Sequence, residues 1–274
     1  MKPPIFAYHA PSTLAAALAA LGDLGDEARV LAGGQSLIPM MNLRLVRPSN
    51  LVDLRRISAL RGITRLPDGL RIGAMTLQRD IEESPAVRRH CPLLAEAASL
   101  IGYPEIRNRG TIGGNIANAD PASELPTALV ALGASMRLAS RRGERIVPAE
   151  EFFVGAYTTA AAPDEILISI DVPDTPAATG AAFIEYSRRH GDFALVGVAA
   201  LVTASADGVI TASRLVLSGV GPAPRRCVDA EARLTGARAG AAGAAAEAAE
   251  GAADDIEPDD DIHASAAYRR QLAR

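Results

Sequence analysis

Two short stretches of this chain join paired glycines to small polar side chains, the combination a backbone needs to hold a phosphate. The first is Val30-Leu31-Ala32-Gly33-Gly34-Gln35-Ser36, and the second is Thr111-Ile112-Gly113-Gly114-Asn115. A diphosphate carries about two negative charges and is best held by N–H groups converging from a concave main chain. Glycine lets the backbone approach closely and take positive φ, while Gln35, Ser36, Thr111 and Asn115 add side-chain donors at the rim. A single Gly-Gly is equally the mark of an ordinary tight turn between strands. Two similar copies in one chain favour a shared ligand, a dinucleotide whose diphosphate both loops hold.

Three charged residues lie close to the second stretch. Arg107 and Arg109 directly precede it and can offset diphosphate charge, pair with a neighbouring subunit or simply lie on the surface. Glu124, a short way beyond it, can accept hydrogen bonds from ribose or ribityl hydroxyls, or merely suit the positive end of a helix. No catalytic constellation accompanies them. The chain has no GxSxG, HExxH, Walker loop or GxGxxG after a strand, so hydrolase, metalloprotease, nucleoside triphosphatase and Rossmann readings lose support. His9, His90, His190 and His263 are scattered, with no carboxylate or second histidine at ligand spacing, and read as surface or turn positions. Cys91 and Cys227 are far apart and form no CxxC, so they read as plain thiols. Any redox centre must therefore bind noncovalently or belong to a partner. The acidic run from Asp254 to Asp261 lacks the glycine and closing glutamate of an EF-hand loop and reads as a solvated linker.

Positioning these residues requires a scaffold, and the sequence predicts one of mixed type. Residues 1–55 read as a small α/β unit. Phe6-Ala7-Tyr8 is a short strand, Ser12 caps a helix bearing Leu14, Leu18 and Leu21, and Gly22 stops it. Strands follow at Arg29 to Ala32 and Leu51 to Leu54, flanking an apolar turn or short helix from Leu37 to Leu45; this alternation favours an open, partly parallel sheet. From 56 to about 175 a second unit is expected. It has a strand at Leu70-Arg71-Ile72, a helix capped by Thr76 and broken at Pro85, and a helix from Leu93 to Ile101 between Pro92 and Gly102. A helix capped by Ser123 follows, then strands around Met136 to Ala139 and Glu165 to Val172. Pro173 to Gly180 is the best linker candidate. Beyond it, Ala181 to Ile184, Leu195 to Thr203 and Leu215 to Val220 read as three strands. An Ala-rich helix or helix pair at Ala237 to Ala253 and a last helix at Ser265 to Leu272 complete the chain.

Composition bounds the function. A net charge of −4, few aromatics and no tryptophan argue against nucleic acid. No run approaches the roughly 18 to 20 apolar residues of a membrane span, and the start MKPPIFAYHA lacks the apolar segment of a secretion signal. Cytoplasmic residence is the expectation.

The stretches AGGQSLIPMMNLR (Ala32 to Arg44) and RNRGTIGGNIANADPASELP (Arg107 to Pro126) resemble the two flavin-binding signatures of the FAD-binding medium subunit of molybdenum hydroxylases, the carbon monoxide dehydrogenase medium chain type in particular. The resemblance continues through Glu150 to Thr159, Ser187 to Ala200, Ser218 to Arg226 and Asp261 to Ala273. It implies an α+β fold, α/β in part: a vanillyl-alcohol-oxidase (PCMH) type FAD domain at 1–177, made of two α/β subdomains, 1–55 and 56–177. A smaller C-terminal domain at 178–274, with a three-stranded antiparallel sheet and helices, would follow. The cofactor-binding set implied is Leu31, Ala32, Gly33, Gly34, Gln35, Ser36, Gly102, Thr111, Ile112, Gly113, Gly114, Asn115 and Glu124. No catalytic residue and no metal ligand is implied.

In such complexes a molybdopterin-binding large subunit oxidises the substrate and a small 2Fe-2S subunit relays the electrons. FAD on the medium subunit then delivers them to an external acceptor. The implied partners are those two subunits, in a dimer of heterotrimers. A self-contained flavin oxidoreductase of the same fold and a non-catalytic nucleotide-binding assembly subunit are the alternatives. Glu185 stands where the family often has lysine, so no cationic role carries over there, and Phe193 matches an aromatic position that the resemblance puts near the flavin. Relatives usually carry the last helix further. Substrate and acceptor are not encoded in these stretches.

Overall fold

The computed structural model describes residues 2–274. The first unit is built from strand β1 (Ala7–His9), helix α1 (Leu14–Leu24), β2 (Ala28–Leu31), α2 (Leu37–Asn42) and β3 (Asn50–Asp53). Its three strands lie in the order β1-β3-β2 and are all parallel. Helix α1 covers the sheet because Ala17, Leu18 and Leu21 recur at helical spacing and bury themselves against Ala28 and Val52. Its ends differ from expectation by a few residues. Thr13, not Ser12, is the cap, its hydroxyl accepting from Ala16 N–H. The helix also runs through Gly22 to Gly25, which takes φ +56°. A glycine inside a helix costs about 1 kcal/mol but does not end it. Leu24, one turn on, packs against the same core, so the stop falls where the apolar face runs out.

The second unit begins with β4 (Ile63–Leu66) and β5 (Gly69–Gly73) and continues through six short helices: α3 (Gln78–Glu83), α4 (Pro85–His90), α5 (Pro92–Leu100), α6 (Pro104–Arg107), α7 (Ile112–Asn118) and α8 (Glu124–Leu132). It closes with β6 (Ser135–Ser140), β7 (Gly143–Pro148), α9 (Ala149–Phe152), β8 (Phe153–Gly155), β9 (Thr158–Thr159) and β10 (Ile166–Pro173). Strands β4-β5-β10-β6-β7 form one antiparallel sheet. Leu70, Ile72, Met136, Leu138, Ile170 and Val172 share a core with α5, α7 and α8.

Two expectations shift here. Thr76 does not cap α3: the helix starts at Gln78, and the Thr76 hydroxyl bonds the backbone of Gly62 instead. Strand β7 was not anticipated. It is solvated along nearly its whole length, and its pairing follows from a hairpin with β6 rather than from an apolar run.

The C-terminal unit holds β11 (Thr179–Tyr186), β12 (Val196–Ala204), β13 (Ile210–Ser218), β14 (Arg225–Arg226), α10 (Val228–Leu234), α11 (Ala242–Asp254) and α12 (Ala266–Ala273). The antiparallel sheet has four strands rather than three, because the turn after Ser218 returns two residues, Arg225 and Arg226, to the edge of β13. Phe183, Ala199, Leu201 and Val216 join the core of the second unit. That docking explains why every residue of α8 is buried: the helix has the sheet of its own unit on one side and the C-terminal sheet on the other.

Candidate cofactor site

Strand β2 ends at Leu31, and the five residues after it, Ala32 to Ser36, belong to no strand or helix. Among the described residues no acceptor is bonded to the backbone N–H of Ala32, Gly33, Gly34, Gln35 or Ser36. Five successive free donors on a bend make an anion cradle. Gly34 permits the bend with φ +74°. Gln35 braces it, its Nε2 donating to the Gly33 carbonyl at 3.2 Å.

The second glycine motif is a helix start and not a loop. Thr111 caps α7, its Oγ1 accepting from Gly114 N–H at 3.1 Å. The N–H groups of Ile112, Gly113 and Asn115 go to the carbonyls of Thr76, Ala74 and Thr111. Ile112 is fully buried. Where both motifs were expected to offer inward N–H groups, the first keeps all five open among the described residues and the second only that of Thr111.

The glycines bring the two motifs into contact. A Cβ on Gly33 would stand 2.3 Å from the Arg109 carbonyl oxygen, and one on Gly114 would stand 3.2 Å from the Ala32 Cβ. Gly113 serves the layer beneath, where a Cβ would meet Ala74 Cβ at 2.5 Å. A cavity of about 220 Å³ opens at the junction, lined by Ala32, Gly33 and Thr111 from the two motifs and by Arg55, Arg61, Met75, Leu77, Asn108 and Arg109.

Residues 4–175 match the family model described as the FAD binding domain in molybdopterin dehydrogenase, and residues 181–274 match the CO dehydrogenase flavoprotein C-terminal domain. The chain belongs to the molybdopterin-dehydrogenase flavoproteins. It is 41% identical to the carbon monoxide dehydrogenase medium chain of Hydrogenophaga pseudoflava, over 100% of this chain and 94% of that one. Identity is also 41% with the 6-hydroxypseudooxynicotine dehydrogenase complex subunit alpha of Paenarthrobacter nicotinovorans, over 100% and 92% of the two chains. Among solved structures, carbon monoxide dehydrogenase from Hydrogenophaga pseudoflava matches with a TM-score of 0.96 at 42% identity, covering 100% of this chain and 94% of that one. Quinoline 2-oxidoreductase from Pseudomonas putida 86 matches at 0.94 and 39%, with the same coverage.

Of the expected cofactor-binding residues, Ala32, Gly33 and Thr111 line the cavity, whereas Asn115, Gly102 and Glu124 do not. Asn115 Oδ1 accepts from Ser123 Oγ at 2.9 Å. Ser123 stands at the N-cap position of α8, but its hydroxyl makes no cap bond there and holds the second motif instead. Glu124 follows at once, buried, and burial pushes its carboxyl up to about 8, with the charges of Glu185 and Asp120 adding to the effect. Glu185 is raised to about 7 by burial alone, and its Oε2 is buried without a partner. Burial thus favours the protonated form of both carboxyls. Gly102 takes φ +47°, and its carbonyl accepts from Arg107 Nη1 at 3.3 Å, so the turn there is fixed by the protein itself. Phe193 stands exposed in the turn between β11 and β12.

The two arginines before the second motif part company. Arg107 turns inward and pairs with Glu82 at 2.7 Å, which removes it from any diphosphate. Arg109 lines the cavity. Arg55, Arg61 and Asn108, which also line it, were missed; only the Arg55-Arg56 pair just after a strand could have pointed to them. A second, shallower cleft of about 270 Å³ has both its carboxylates committed, Glu82 to Arg107 and Glu96 to the Phe183 N–H. His9 bonds Asn50 and His90 faces Asp174. Among the described residues no group of three metal-ligating side chains converges, and no helix is long and apolar enough to cross a membrane.

Proposed function

We propose that this chain is the electron outlet of a molybdenum-containing hydroxylase or dehydrogenase complex. It would hold FAD between a 2Fe-2S small subunit and an external acceptor, while a molybdopterin-binding large subunit oxidises the substrate. The observation that carries this is the open N–H run from Ala32 to Ser36 lying against the glycine face of α7. Such donors suit a diphosphate and no acceptor among the described residues takes them, so the residues present fit the cofactor. FAD when bound supplies the redox chemistry, accepting electrons singly and passing on two.

The chain's own residues bind and orient. Leu31 to Ser36 form the cradle, and Thr111 to Asn115 form the wall against it. Gly102 shapes the neighbouring turn, and Glu124, protonated at neutral pH, offers a hydroxyl donor as well as an acceptor to a sugar or ribityl hydroxyl. None of them acts as a catalytic acid or base in this reading. We assign 1–177 to the FAD domain and 178–274 to the C-terminal domain, in a cytoplasmic dimer of heterotrimers. Named relatives such as the carbon monoxide dehydrogenase medium chain and the 6-hydroxypseudooxynicotine dehydrogenase complex subunit alpha are subunits of larger enzymes, which supports the assembly.

The test is spectroscopic. The purified chain should retain one FAD and oxidise no substrate alone, and in the assembled complex the flavin should bleach when the molybdenum centre is reduced. Flavin that stays oxidised beside a reduced molybdenum centre overturns the role.

A further inference from the structure

The cavity beside the open loop carries more positive charge than the protein compensates. Arg55 and Arg61 are fixed within a bonded network. Arg55 Nε donates to Asp53 Oδ2 at 2.8 Å and its Nη2 to the Tyr8 hydroxyl at 3.3 Å, while Arg61 Nη2 donates to the Arg55 carbonyl at 3.0 Å. Asp53 is the single carboxylate in that network, and it is held ionised: burial works against the charge, but the bonds from Arg55 and Tyr8 outweigh it and leave the carboxyl below its usual range. Arg109 comes from the turn between α6 and α7. It is exposed, and among the described residues its guanidinium has no hydrogen-bond or ion-pair partner.

Three cations set against one carboxylate leave two positive charges, and they border the free N–H groups of Ala32 and Gly33. A diphosphate brings about two negative charges. Anchored Arg61 and unanchored Arg109 thus match it in number, and Arg109 is free to reorient onto it.

We propose that Arg109 is a diphosphate-binding residue of this site, closing on the ligand of the Ala32–Ser36 loop and, with Arg61 behind it, selecting a flavin that carries a diphosphate. The inference rests on the FAD reading above and adds to it a residue outside both glycine motifs. A guanidinium that meets phosphate oxygens makes charge-assisted bonds, which are stronger than those between neutral groups.

The experiment uses the full chain stripped of flavin and titrated with FAD by fluorescence, with ADP as a competing ligand and adenosine as its uncharged control. Arg109→Gln should weaken FAD and ADP by about tenfold to a hundredfold, leave adenosine unchanged and flatten the dependence of FAD affinity on salt. Arg109→Lys should recover part of the loss, and Arg89→Gln, an exposed arginine remote in sequence, should behave as wild type. Folded Arg109→Gln protein with wild-type affinity for FAD and ADP overturns the proposal. So does an equal loss for adenosine, which would mean a general loosening of the site. A wild-type chain that binds no FAD fails one step earlier, at the reading on which the proposal rests.

Discussion

The two glycine motifs are near copies in sequence and opposites in structure. After β2 the chain leaves five N–H groups open, whereas at α7 the N–H groups of Ile112 to Asn115 are all bonded within the protein. The difference lies in what precedes and follows. Thr111 sits in an extended conformation and caps a helix, while Ala32 leaves a parallel strand and must turn before α2 can begin. Glycine consequently does two jobs. At Gly34 it supplies a left-handed backbone; at Gly33 and Gly113 it removes a side chain so that one backbone can touch another. In the proposed reading, one motif faces the ligand and the other is the wall that places it.

Gly33→Val should break this arrangement most severely. Its Cβ would collide with the main chain at Arg109, which cannot swing aside as a side chain end would. A loss of about 1 to 3 kcal/mol or more is expected, the range of overpacking at a rigid contact, together with loss of flavin. Hydrogen exchange on the wild-type chain reads the same comparison without mutation. Amides of Ala32 to Ser36 should exchange fast without FAD and slow with it, and those of Gly113 to Asn115 should be slow in both states. Equal protection of both motifs in the flavin-free chain would end the distinction.

The buried character of the second region has its own signature in pH. Glu124 titrates at about 8 in the fold against an ordinary value of 4.5. Between those values the unfolded chain has released a proton that the folded chain keeps. Stability from this group is therefore greatest below pH 4.5, falls as pH rises through the window and levels off above about 8. The cost at pH 7 is about 3 kcal/mol. Glu124→Gln should remove most of that slope in the flavin-free chain and raise its melting temperature at pH 7 by roughly 6 to 12 °C. An unchanged slope would move the proton elsewhere, with Glu185 the next group to test.

Much of this was legible beforehand, for identifiable reasons. Paired glycines with flanking small polar residues marked both motifs, and apolar spacing marked α1 and α8 together with the main strands of the C-terminal sheet. What escaped was decided by distant partners. Strand β7 exists because β6 offers an edge, and Ser123 points at Asn115 because α7 and α8 pack together. Arg107 and Arg109 are two residues apart and have opposite fates because Glu82 is within reach of only one. The bonded state of the Ile112 and Gly113 amides depends on Thr76 and Ala74, whose carbonyls nothing in the local sequence announces.

Smaller changes sharpen the contrast between turn glycine and spacer glycine. Gly34→Ala meets only side chains, Ile38 at 3.1 Å and Leu31 at 3.4 Å, and the first must give by a few tenths of an ångström. Its cost is the left-handed φ of +74°, about 1 to 2 kcal/mol. Relief of that strain would rotate the free N–H groups, so calorimetry should find flavin affinity reduced more than the unfolding temperature suggests. Affinity unchanged alongside a clear loss of stability would show that the cradle does not depend on this bend.

Thr111→Val is the mildest of the set and the most discriminating. It removes the cap acceptor and orphans the Gly114 N–H, a loss of about 1 kcal/mol. For a chain of this size that lowers the melting temperature by roughly 2 to 4 °C. The variant leaves all five donors of the first loop intact, so flavin affinity should fall by less than about tenfold, the worth of a single neutral rim hydrogen bond. Thr111→Ser should restore both quantities, because the hydroxyl is what the helix start uses. If instead valine abolishes flavin binding while the melting temperature holds, the second motif grips the ligand as directly as the first, and the wall is a second cradle.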